Sequence, residues 1–147
     1  MLSVDLARRL HRAGLIWSPL AGDRFVVDRE ALDADVFYLA DMTVEVHEFV
    51  GGSVIGFNGV AEWALDSVDL DETTWLPRED QLRAVLGHDF VGLGLRAARP
   101  EEGGAPTDDD TEYAVVALVE GSPRTYTHRD AEEAYGLATL AVLETRH

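Results

Sequence analysis

Apolar residues recur at helical spacing in three stretches of this chain and alternate with polar ones through most of the rest. Leu6 and Leu10 mark the first stretch. Ser3 before it suits an N-cap and Gly14 after it stands where a left-handed C-cap belongs, so the pattern predicts a helix over 4–13. Pro77, then Glu79 and Asp80, then Gly87 as a stop, predict a second helix over 77–86 that buries Leu82, Val85 and Leu86. Proline fits the first turn, and acids there complement the positive end of the helix dipole. Asp130 can cap a third helix over 131–144, with Ala134, Leu137, Ala138 and Ala141 facing a sheet.

Between the helices, short β-branched and aromatic runs predict strands over 25–28, 36–40, 61–65, 89–97, 112–120 and 124–128. The clearest pair of runs is 43–49 and 54–58, joined by Val50-Gly51-Gly52-Ser53. With Gly51 and Gly52 as a two-residue turn, Val46 faces Phe57 and Glu48 faces Ile55 on one side of the hairpin. Phe49 then faces Val54, His47 faces Gly56 and Glu45 faces Asn58 on the other side. Acidic loops are expected over 66–72 and 100–110, the second of them rich in Gly and Pro and therefore a mobile hairpin loop. No repeat or long linker divides the chain. The expectation is a single α+β domain over 1–147, with a mainly antiparallel sheet of six to seven short strands and three helices.

Charge adds a second layer. The 147 residues hold 28 acids against 12 bases, for a formal net charge of -16, and every base is Arg. Without Lys there is no P-loop nucleotide site and no Schiff-base chemistry; without Cys there is no thiol nucleophile or thiolate metal site. Such a field repels polyanions, so binding to nucleic acid or to an anionic membrane is not expected. The acidity is local: from Glu30 to Pro77 there are eleven acids and no Arg, whereas 1–13 carries Arg8, Arg9 and Arg12 against Asp5. No leader-like segment or apolar run of bilayer length occurs, and the expected location is cytoplasmic.

Familiar catalytic patterns fail on context. Gly92, Gly94 and Ala97 match a relaxed dinucleotide fingerprint but lie inside a strand-like run rather than at a strand-to-helix turn. Ile55 stands where a nucleophile elbow requires Gly, and Thr74 where a calcium loop beginning at Asp69 requires Gly. No catalytic residue or cofactor is therefore assigned, and the protein is read as a non-enzyme.

Two candidate surfaces remain. Trp63 and Trp75 flank Asp66, Asp69, Asp71 and Glu72, a setting in which indoles and carboxylates meet an Arg-rich protein partner through stacking and ion pairs. The alternative for both indoles is a place in the core. The hairpin register collects Glu45, His47 and Asn58 beside Gly56, a polar trio able to bind a divalent metal or a small polar ligand if a further element covers it with Glu62 or Asp66. The plain alternative is the wet face of a hairpin.

The runs 23–27, 41–47 (Asp-Met-Thr-Val-Glu-Val-His), 54–59 (Val-Ile-Gly-Phe-Asn-Gly), 62–67 and 75–82 (Trp-Leu-Pro-Arg-Glu-Asp-Gln-Leu) resemble a family of small, uncharacterised proteins of high-GC bacteria that carry the label "pilus assembly protein CpaE". A single Asn, two Ile and no Lys suit such a genome. The resemblance implies an association with pilus assembly and no catalytic residue. The longer, MinD-like ATPase that shares the label needs a phosphate loop that a chain without Lys cannot build.

Overall fold

A computed structural model describes residues 1–29, 35–39, 45–49, 52–56, 67–98 and 110–146. The fold is α+β, and every strand pair among the described residues is antiparallel. Nine strands among the described residues form three separate three-stranded sheets rather than one sheet of six to seven. The chain divides into two compact units, one made of 1–15 with 78–147 and the other of 16–77.

The first unit contains all three helices: α1 (Val4–Arg12), α2 (Glu79–Leu86) and α3 (Ala131–Thr145). The Ser3 hydroxyl accepts the Leu6 amide hydrogen at the start of α1. Gly14, at φ 106, lets the chain turn back so that the Leu15 amide reaches the Leu10 carbonyl. Helix α2 begins two residues after the predicted start. Arg78 is extended as its N-cap, and the Gln81 side chain accepts the Arg78 amide hydrogen, leaving Pro77 outside the helix.

The sheet of this unit is a meander of β7 (Phe90–Ala97), β8 (Thr111–Val119) and β9 (Ser122–His128). Residues Glu120 and Gly121 join β8 to β9 with φ of 52 and 81, the positive pair of a type I′ turn that matches strand twist. Helix α3 lies at the centre, packed on α1, α2, β8 and β9. It therefore buries Tyr135, Gly136, Thr139, Leu140, Val142 and Leu143 as well as Ala134 and Ala138, while Leu137 and Ala141 are half-buried. Gly136 is a point of close approach: a Cβ there would stand 2.7 Å from Leu2 Cδ1 and from Leu6 Cδ2.

Unit 16–77 holds the other two sheets. One orders β2 (Val36–Tyr38), β1 (Arg24–Val27) and β6 (Thr73–Leu76); the other orders β3 (Glu45–Phe49), β4 (Gly52–Gly56) and β5 (Ser67–Asp69). The expected acidic loop over 66–72 is instead strand β5 followed by a 3₁₀ turn, Leu70–Glu72, that leads straight into β6. Three residues are too few to show a period of two, so this strand is invisible as a pattern. Phe25, Val27 and Leu39 make the core here, with Trp17, Phe37 and Leu70 packed against it.

Candidate functional site

The arrangement around Trp75 starts from strand pairing. Phe25 pairs with Phe37 on one side and with Trp75 on the other, so the three rings stand in one row across β2, β1 and β6. Trp17, from the segment before β1, stacks on Trp75 with centroids 6.5 Å apart and planes 9° apart, and tilts against Phe25 at 5.4 Å. Asp23 holds Trp17 there. Its carboxylate is 1% exposed and accepts the Trp17 indole N–H at 2.9 Å and the Leu20 amide at 3.0 Å, while its carbonyl accepts the Leu39 amide at 2.9 Å. Trp75 is half-buried and one face of its ring is occupied by Trp17. Sequence reasoning missed Trp17 and Asp23; their spacing around Gly22 was the available signal, but the stacking partner lies 58 residues further along the chain.

Around this aromatic row the charges are one-sided. Residues 16–77 contain thirteen acids and two arginines. Arg29 is bound to Glu72 through Nε at 2.8 Å and Nη2 at 2.6 Å, and Arg24 donates from Nη2 to the Pro77 carbonyl at 3.2 Å. Asp28 accepts from the Thr74 hydroxyl at 2.9 Å. Of the acids singled out from the sequence, Glu72 is therefore engaged, Asp71 is exposed on the 3₁₀ turn, and Asp69 closes β5 opposite Val54. Asp35, just before β2, is also exposed. Trp63 and Asp66 lie outside the described residues, as do Glu62 and the acidic segment 100–109.

The hairpin register differs from the expected one by two residues. Phe49 pairs with Gly52, so Gly52 is a strand residue and positions 50 and 51 fall between the strands. Glu45 then stands opposite Gly56 instead of Asn58, and His47 opposite Val54 instead of Gly56. A shift of two preserves which residues share a face. Strand β5 extends both rows in register, as Glu45–Gly56–Ser67 and His47–Val54–Asp69. Asn58 lies outside the described residues.

The remaining histidines of the described residues are ordinary. His11 and His88 are exposed, and His128 Nδ1 accepts the Asp130 amide at 2.9 Å at the entrance to α3. Asp130 in turn accepts from the amides of Glu132 and Glu133 and from the N-terminal ammonium at 2.5 Å. Partial burial pushes its carboxyl up, but these donors outweigh it and hold the group below the usual carboxylate range. Burial raises the Tyr135 phenol, helped by Glu79 and opposed by Arg83. Among the described residues no cluster of three or more His, Asp or Glu is placed to hold a metal ion, and no helix is long and apolar enough to cross a membrane. No family model, curated protein or solved structure matches the chain.

Proposed function

We propose that residues 16–77 form an acidic docking module for a basic protein partner, and that the protein acts by binding rather than by catalysis. The observation that carries this reading is the charge imbalance of that unit: two arginines can neutralise at most two of thirteen acids, and both arginines already serve internal bonds. Asp35 and Asp71 are exposed acids of this unit, whose rings Trp17, Phe25, Phe37 and Trp75 pack on one another. Trp75, half-buried with Trp17 stacked on one face, stands at the edge of this surface. A link with pilus assembly, and a cytoplasmic location, belong to the same proposal through the resemblance noted above.

An interface of this kind gains rate and specificity from complementary charge and weakens as salt screens it, the Debye length being about 8 Å at physiological ionic strength. Pull-down from a cell lysate at low and at high salt tests it: a basic protein retained at low salt only is the expected result. Retention indifferent to salt, or an interface mapped to α3, contradicts it.

A second reading keeps the set that the hairpin pattern suggests, Glu45 and His47 with Asn58, as ligands of a divalent metal or a small polar molecule. Thermal melts with and without Zn²⁺ decide it. A metal-dependent rise in Tm that His47→Ala removes supports the site, and an unchanged Tm disposes of it.

A further inference from the structure

The two edges of the β7–β8–β9 sheet are unlike each other. Edge strands are normally guarded by proline, by charge or by shortness, because their free N–H and C=O groups accept another strand. Strand β9 has such guards in Pro123 and Arg124, both exposed. Strand β7 is eight residues long, contains no proline and no acid, and leaves Leu93 41% and Leu95 64% exposed. Leu93 pairs with the fully buried Val115, so these leucines belong to the face of the sheet that α3 covers over β8 and β9. The stripe is thus a continuation of the core face that no helix among the described residues covers.

We propose that the β7 edge pairs with the β7 edge of a second copy, antiparallel about a two-fold axis at Gly94, to give one six-stranded sheet. Side-chain alternation requires residues of like parity to face each other. The irregularity at Phe90 and Gly92 confines regular pairing to Gly92–Ala97, whose symmetric register sets Leu93 against Leu95 of the second copy and Leu95 against its Leu93. Arg96, the one charge on the strand, then faces Gly92 of the second copy, where there is open space. In a chain of net charge -16, this edge lets two copies meet without opposing carboxylates. The interface is isologous and smaller than the roughly 800 Å² per partner of a standard complex, so the dimer is weak and concentration-dependent.

The charge outside the contact sets a sign that separates this contact from the acidic docking surface. Two like-charged copies pair more tightly as salt rises, whereas a basic partner binds less tightly. Sedimentation of the full chain from about 1 to about 300 μM, at two salt concentrations, is the first measurement. A monomer–dimer equilibrium favoured by salt is expected, with Leu95→Lys weakening it at least about tenfold while leaving the thermal melt in place. The chain has no cysteine, so Gly94→Cys offers a clean second test: on the axis, the two Cα atoms fall within disulfide range and the dimer cross-links, while Gly92→Cys does not. A monomer at every concentration, or a dimer indifferent to Leu95→Lys, overturns the proposal. A dimer that Gly94→Cys fails to cross-link overturns the register. A monomer that instead holds an unrelated protein through Leu93 and Leu95 gives the edge a different occupant, and overturns it too.

Discussion

Replacing Asp23 by Ala removes the acceptor of the Trp17 indole N–H and of the Leu20 amide together. The side chain is 1% exposed, so the cost is set by what the two donors do next. Hydrogen bonds to a charged acceptor contribute about 1.5–3 kcal/mol each, and a buried donor left unpaired costs about 1–3 kcal/mol. Trp17 is half-buried and its N–H can turn to water; the Leu20 amide sits in the turn that Asp23 itself closes. The expected loss is about 2–4 kcal/mol for Asp23→Ala. Asp23→Asn keeps one carbonyl oxygen for both donors and should lose only about 1 kcal/mol. All three tryptophans lie in 16–77 and all three helices in the other unit, so tryptophan fluorescence and helical circular dichroism report the two units separately. In urea the fluorescence midpoint of Asp23→Ala should fall by about 1–2 M at an ordinary denaturant slope. Its native emission should also change as the Trp17–Trp75 stack loosens. A loss below about 1 kcal/mol, or an unchanged emission, would refute the assignment of Asp23 as the group that positions Trp17.

Three further outcomes test the packing. Gly136→Ala adds a methyl into Leu2 and Leu6, so despite a helix preference worth up to about 1 kcal/mol it should lower Tm, overpacking costing about 1–3 kcal/mol; Leu2→Ala in the same chain should recover part of the loss. Asp130→Ala should cost about 1 kcal/mol by uncapping α3. Because the folded pKa of Asp130 lies below its unfolded value, its contribution is complete above the ordinary Asp pKa of about 4 and fades as pH falls through the folded value, so the variant's stability should fall less steeply in acid. Glu120→Asn relieves a side chain held at φ 52 and should stabilise the β8–β9 turn by about 0.5–1 kcal/mol, read as a Tm rise of about 1–4 °C.

Local signals were the legible ones. Ser3, Gly14 and Asp130 name helix ends because each acts on amides or carbonyls within a turn of itself. The 43–58 region announced a hairpin, but Val-Gly-Gly-Ser allows more than one two-residue turn, and the register follows whichever pair is chosen. The pairing of β1 with β6 joins residues almost fifty positions apart, and no pattern near either strand points to the other. The same holds for the stack of Trp17 on Trp75, which occupies one face of the Trp75 ring. Charge segregation, by contrast, was plain in the sequence, and the division into two units gives it a structural boundary.

That segregation also offers the most direct measurement of the central proposal. The chain has no Lys, so zero-length coupling of carboxylates to amines can join its Asp and Glu side chains only to a partner's lysines, apart from its own N-terminal amine. Its acids divide almost evenly, thirteen in 16–77 and fifteen elsewhere, so indiscriminate coupling would mark both units alike. Coupling in lysate followed by mass spectrometry should place the cross-links in 16–77, at Asp35 and Asp71 among others, and lose them at high salt. Cross-links concentrated in 112–144, or none at either salt, would contradict the proposal that the acidic unit is the docking surface.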